Sequence, residues 1–473
     1  MANKGFGRRS IFHTLAALAL AGFMPISQAQ NAAAAPDPLG AKMREAFVYA
    51  YPYYEFMWLR DQALHNPQSL TYTELNRFRH QRHLATPSDR WANGPIRDTF
   101  YSTAWVDLGP APVLLSLPDT ADLYYVLVLV AADTNSFRYF GRRTSGTQAR
   151  TVALVGPGWK GEIPQADEVV RAPTRDLYIN LRVLVRNDAD LAAAHAVQDG
   201  FALRQNPAAT LADGPQLRPM SAKVDGNADG GVERVIDIIN EAIARNPPPA
   251  SEAPLLERYR EVGICGKDCR FADLPADVQQ RWRALVPAMV ARFKTTLDAN
   301  LTHLKKVDGW LPFRLPRDFG SNYAMRAGSA ANSGGIFGVE AAEATYFMAV
   351  ADNHDEPLGQ GRRYRLRLPA GGLPADAFWS LTLYEFVEGG QYMVANPIGR
   401  YSIGDRTPGL VRNKDGSLDI WIQPDAPGDA AQRANWLPSP KANRFYMNAR
   451  IYQPRPEVLD PNWKMPAVQR LQP

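Results

Sequence analysis

Two groups of residues in this chain combine the side-chain types that organic chemistry needs. The first is Asp98 with Tyr101, Trp105 and Asp107, the last three alternating with Phe100, Ala104, Val106 and Leu108. The second is Trp379, Tyr384, Arg400, Tyr401, Asp405 and Arg406. A carboxylate such as Asp98 can act as a general base, and a phenol such as Tyr101 as a proton donor or orienting group. Arg97, Arg400 and Arg406 offer the planar fork that binds a carboxylate in pairs of hydrogen bonds. Trp105, Trp379, Tyr384 and Tyr401 offer flat apolar faces. Asp98 and Tyr101 are therefore the candidate catalytic residues. Arg97, Trp105, Trp379, Tyr384, Arg400, Tyr401 and Arg406 are the candidate substrate-binding residues, expected to converge in a cleft between domains. The bland alternative is that Asp98 caps a turn, Asp405–Arg406 is a local ion pair and the tryptophans pack.

Other chemistry is missing from the sequence. There is no Gly-x-Ser-x-Gly elbow, no phosphate loop, no dinucleotide fingerprint and no His-Glu-x-x-His motif. His80 and His83 are three apart, but Arg79 and Arg82 beside them would repel a cation, so they read as a basic face and no metal ligand is assigned. Cofactors are not readable. Cys265 and Cys269 are the only cysteines, too few for a metal centre, and a local disulfide is expected.

The segments that must position these groups follow from periodicity. Met43, Phe47, Ala50, Tyr54 and Met57 recur at helical spacing and predict a helix over 39–64, interrupted by Pro52. From 98 to 186 the pattern is that of strands, with Tyr124–Ala131 apolar on both faces and therefore central. Residues 188–203 read as a helix and 204–230 as a linker. Val278, Trp282, Leu285, Met289, Phe293, Leu297, Leu301 and Leu304 form a core stripe on a helix over 275–305. Alternation returns from 338 to 459. Tyr446, Asn448, Arg450 and Tyr452 there alternate with Phe445, Met447, Ala449 and Ile451. The fold class expected is α+β, with two antiparallel β-rich, sandwich- or barrel-like domains and a helical segment between them. The expected divisions are 1–29, 37–203, 204–337 and 338–473.

The 473 residues, 45% hydrophobic and 21% charged, exclude wholesale disorder. The net charge of +5 counts Lys4, Arg8 and Arg9, without which the remainder carries +2. That lacks the electrostatic footprint of a nucleic-acid binder. A basic start, an apolar stretch from Ile11 to Ile26 and the small residues of Ser27-Gln28-Ala29 form an export signal ending near residue 29. Arg8–Arg9 is also compatible with twin-arginine export. The stretch is too short for a robust membrane span. A periplasmic or secreted protein without stable membrane insertion is expected. Its partner would be a small-molecule ligand or substrate, and self-association into a homo-oligomer is left open.

Several segments in order carry a family resemblance: Arg90-Trp91, Asp98 to Leu108, Leu154-Val155-Gly156-Pro157-Gly158-Trp159 and Arg171-Ala172-Pro173-Thr174-Arg175. They resemble the exported bacterial family catalogued as domain of unknown function 1254. Asp376 to Tyr384, Asn396 to Arg406, Gly416 to Ile420, Asn435-Trp436-Leu437-Pro438 and Val458-Leu459-Asp460 resemble its usual partner, domain of unknown function 1214. The resemblance implies two β-rich domains flanking helices and fixes no reaction. The approach to the first strand departs from the family pattern: Gly94-Pro95-Ile96-Arg97-Asp98-Thr99 puts Arg97 where a small polar residue is usual, which points to an anionic ligand if that loop touches one. Two functions are carried forward: a hydrolase acting on a small organic molecule between the domains, and a periplasmic binding or structural protein without turnover.

Overall fold

A computed structural model describes residues 37–90, 93–205, 231–303, 305–314, 316–331, 338–388 and 390–472. The expected export signal and most of the expected 204–230 linker lie outside the described residues. Among the described residues, strands form four sheets, two in each half of the chain. The N-terminal half pairs a five-stranded sheet with a four-stranded one. The larger runs Arg79–His80, Thr99–Asp107, Asp176–Leu184, Tyr125–Ala131, Ser136–Gly141 in spatial order. Tyr125–Ala131 is buried along its whole length, as its two-sided apolar pattern predicts. The C-terminal half pairs a six-stranded sheet built on Ala375–Val387 and Phe445–Pro454 with a four-stranded one built on Tyr364–Leu368 and Leu418–Gln423. All pairings are antiparallel except Arg150–Val155 with Glu168–Arg171 and Leu418–Gln423 with Trp436–Pro438. The architecture is α+β and sandwich-like, with no closed barrel.

Two boundaries differ from the expectation. The strand Trp310–Phe313 joins the C-terminal sheet, so that half recruits residues well before 338. The helix expected to 203 stops at Gly200, and Ala202–Gln205 becomes an edge strand on Val113–Leu117. Gly200 lies against the Pro118 ring, which leaves no room for a side chain there.

The helix Pro38–His65 starts at Asp37, whose carboxylate accepts from the Gly40 amide at 3.1 Å. It runs on through Pro52. Its residues are buried nearly all round, which marks a central helix and not a surface one. Phe47 meets Trp282 and Phe293 of the helix Ala276–His303, and Phe56 meets Trp105 of the N-terminal sheet. Cys265 and Cys269 form the expected disulfide. Asn240 fixes that loop, its Oδ1 accepting from the Cys265 and Gly266 amides at 3.0 Å each.

A buried charge cluster locks the helices to the N-terminal sheet. Asp107 and Asp176 stand directly opposite on neighbouring strands, an arrangement that repels unless countered. Arg245 supplies the counter-charge to both, at 2.5 Å to Asp176 and 2.7 Å to Asp107. Arg175 holds Asp107 in a fork at 2.7 and 3.0 Å, and Arg60 lies 3.3 Å from Asp176. Burial alone would raise the Asp107 carboxyl, but the Arg175 hydrogen bonds and the Arg245 charge bring it down to about 2. A depressed folded value means stabilisation that is complete above the unfolded value and lost as pH falls. The stability advantage of wild type over Asp107→Asn should therefore shrink between about pH 4 and pH 2. Urea titrations across that range measure it, and a difference that stays constant contradicts the assignment.

Candidate functional site

The two halves meet through the polar faces of their larger sheets. On the N-terminal sheet, register places Tyr101 beside Arg182, and Thr103 between Arg79 and Asn180. On the C-terminal sheet, Arg450 lies between Tyr346 and Ser380, and Asn448 between Met348 and Thr382. The opposite face of the C-terminal sheet carries Trp379, Leu381, Leu383, Met447, Ala449 and Ile451 into the sandwich core. Arg182 Nη1 donates across the junction to the Tyr346 hydroxyl at 3.1 Å.

The loop 93–98 fastens one half to the other. The Gly94 amide donates to Gln391 O at 3.0 Å, and Asn93 Oδ1 accepts from the Gln391 amide at 3.0 Å. Tyr384 donates its hydroxyl proton to Pro95 O at 2.8 Å. Arg450, 1% exposed, donates to Thr382 Oγ1 at 3.0 Å, the Tyr384 hydroxyl at 2.8 Å and Gly94 O at 3.3 Å. Gly94 has φ +59°, and a Cβ there would sit 2.7 Å from the Tyr446 hydroxyl. Gly94→Ala should cost at least about 1 kcal/mol from the left-handed conformation alone. Chemical denaturation checks this, and an unchanged midpoint contradicts it.

The loop delivers Asp98 to the C-terminal sheet. Ser380 donates its hydroxyl proton to Asp98 Oδ2 at 2.6 Å, and Arg406 Nη2 lies 3.5 Å from Asp98 Oδ1. Ser380 and Arg406 also line a junction pocket of about 400 Å³, together with Arg97, Arg186, Ser402, Thr407 and apolar Leu84, Val185 and Pro408. Arg97 donates to Ala85 O at 2.9 Å with its guanidinium 5.2 Å from the Tyr401 ring centre. Arg406 lies 4.1 Å over the Phe378 ring and 3.1 Å from Asp405, and its Nε is buried without a partner. Burial raises the Asp405 carboxyl. Arg186 is 3.7 Å from Asp190. Three arginines and several hydroxyls around a pocket that contains no lining carboxylate suit an anionic ligand.

Asp98, Arg97, Arg406, Tyr401 and Tyr384 are thus brought to one junction, with Tyr384 in the fastening and not on the pocket wall. Three candidates are not brought there. Trp379 points into the C-terminal core, with its indole against Gly372. Trp105 is enclosed by Phe56 and Tyr178 at 5.1 and 4.8 Å. Arg400 Nη1 donates to Ala434 O at 2.8 Å and Trp436 O at 3.0 Å, so it ties a loop and does not line the pocket. Tyr101 lies on the facing sheet surface and does not line the pocket. Burial lifts its phenol to about 12, so it is protonated and able to donate at neutral pH. His80 is 2.8 Å from the Ser102 hydroxyl and His83 is 3.4 Å from Asp89, both local contacts. Among the described residues no group of three or more histidine, cysteine, aspartate or glutamate side chains is placed to hold a metal ion. Likewise no described helix is long and apolar enough to cross a membrane.

Family models match the chain in two stretches, both described as proteins of unknown function: DUF1254 at residues 75–205 and DUF1214 at residues 343–456. The chain belongs to the paired DUF1254–DUF1214 family. The Asp98–Ser380 hydrogen bond therefore joins one family domain to the other, and the junction pocket needs both. The crystal structure of the VPA0106 protein from Vibrio parahaemolyticus is similar in fold, with TM-score 0.68 and 22% identity over 92% of this chain and 100% of that one. An uncharacterised protein from Burkholderia cenocepacia aligns at TM-score 0.42 and 12% identity over 93% of this chain and 91% of its own. No curated protein matches.

Ser380, Arg450 and Arg186 escaped the sequence reading. Ser380 and Arg450 were visible as the polar members of alternating strands, but alternation marks a face and does not say that a second sheet will cover it. Arg186 stands at the end of a strand with no motif around it.

Proposed function

We propose that the protein is an exported hydrolase acting on a small organic molecule that carries an anionic group and binds in the DUF1254–DUF1214 junction pocket. The observation that carries the reading is the 2.6 Å hydrogen bond to Asp98 from Ser380, which lines an arginine-lined pocket with Asp98 behind it. A nucleophile within hydrogen-bond reach of a base, itself held by a third group, is the general pattern of nucleophilic catalysis. Here Ser380 is the nucleophile, Asp98 the general base and Arg406 the group that orients Asp98.

In the reaction Ser380 Oγ attacks the substrate carbonyl carbon while its proton passes to Asp98. The leaving oxygen departs with that proton, and an acyl-serine remains. Water repeats the sequence in reverse roles and releases the acid. Arg97 and Arg186 hold the anionic group, and the positive wall favours the charge that develops on the carbonyl oxygen. Acid release from a panel of small carboxylated esters tests the reading. Turnover by wild type that is lost in Ser380→Ala is expected. Release no faster than in buffer for every ester favours a binding protein without turnover.

A further inference from the structure

The space between the two facing sheets is a different environment from the junction pocket. Arg79, Tyr101, Arg182 and Tyr346 belong to it, and none of them lines the 400 Å³ pocket. The Tyr101 ring lies under Arg182, 5.1 Å from its guanidinium carbon, and Arg182 donates to Tyr346. Tyr101, Thr103, Tyr346, Met348 and Asn448 are all partly exposed although they sit on surfaces turned toward one another. Solvent therefore reaches both faces beside the Arg182–Tyr346 bridge.

The polar groups there are incompletely used. Among the described residues, the Tyr101 hydroxyl and the Arg79 guanidinium have no hydrogen-bond or ion-pair partner. The Tyr452 hydroxyl, on a residue with no exposure, and Asn448 Oδ1 are buried without partners. Burial pulls Arg79 below its usual value, and the group that offsets this is the Tyr178 phenol and not a carboxylate. The carboxylate acting on Tyr101 and Tyr452 is Asp98, which Ser380 and Arg406 already share. A half-buried cation without a counter-charge is costly, and an unpaired buried hydroxyl adds to that cost.

We propose that this inter-sheet space is a second ligand site and that it takes an aromatic carboxylate. The carboxylate pairs with the Arg79 fork and accepts from the Tyr101 hydroxyl. The ring lies among Tyr101, Tyr346 and Met348, which give flat and adaptable apolar surface. The site stands apart from the hydrolytic reading, because its residues and the Asp98–Ser380 pair serve different spaces.

Calorimetric titration with benzoate tests it on the full-length protein. Wild type should bind benzoate and not benzamide, which keeps the ring and lacks the charge. Arg79→Gln and Tyr101→Phe should each weaken binding about tenfold or more, the second while leaving the ring under Arg182. Ser380→Ala should bind as wild type does, whether or not it turns over esters. No benzoate binding up to about 10 mM overturns the proposal, as does equal binding by Arg79→Gln. Loss of binding in Arg97→Gln with Arg79→Gln intact would place the ligand in the junction pocket and also overturn it.

Discussion

Arg245→Met should destabilise the protein by about 3–5 kcal/mol, a large part of the 5–15 kcal/mol that holds a typical domain folded. Arg245 is bonded to both Asp107 and Asp176. Removing it leaves two opposed carboxylates, Asp107 still on the Arg175 fork and Asp176, fully buried, with Arg60 at 3.3 Å. The loss comes from the uncompensated charge, since replacing a whole buried pair by apolar groups is often neutral. The double variant Arg245→Met/Asp176→Asn should therefore recover part of the stability. Denaturant titration of the two variants decides it. A single variant within about 1 kcal/mol of wild type, or a double variant worse than the sum of both changes, contradicts the account.

Asp98→Asn should lower kcat/KM of ester hydrolysis by about 10²–10⁴. Asparagine keeps the shape and still accepts from the Ser380 hydroxyl, but it cannot take the proton. Because Arg97 and Arg186, proposed to hold the anionic group, are untouched, the loss should fall on kcat, with KM little changed. The fold should survive, since Arg406 retains Asp405 and the fastening through Gly94, Pro95, Tyr384 and Arg450 does not involve the Asp98 carboxylate. Equal kcat in wild type and Asp98→Asn, at matched stability, removes Asp98 from the chemistry.

The fold was more legible than the site, for a physical reason. Periodicity reports which face of an element is apolar, and that was enough to find the helix Pro38–His65, the central strand Tyr125–Ala131 and the alternation of Phe445–Pro454. It does not report what covers the polar face. Arg400 and Arg450 look alike in sequence, each an arginine within two residues of a tyrosine. One ties a loop through Ala434 and Trp436, while the other is buried at the junction and binds the loop at Gly94. Trp379 and Ser380 are adjacent, yet the pleat sends one into the sandwich core and the other to Asp98, 282 residues away in sequence. The proposed nucleophile is the small neighbour, and nothing in the segment's alternation sets it apart from the other polar residues of that face. Asp107 shows the converse. It clustered in sequence with Asp98 and Tyr101, but its partners Arg175, Arg245 and Asp176 make it a structural ion.

The most direct test of the central claim is covalent labelling. A fluorophosphonate reacts with a serine whose hydroxyl is activated by a neighbouring base and leaves a phosphonyl group on it. The account predicts that peptide mass spectrometry of the labelled wild-type protein finds the adduct on Ser380 and that Asp98→Asn abolishes it. An unlabelled Ser380 in folded wild-type protein, or equal labelling with and without the Asp98 carboxylate, would contradict a Ser380–Asp98 hydrolytic pair.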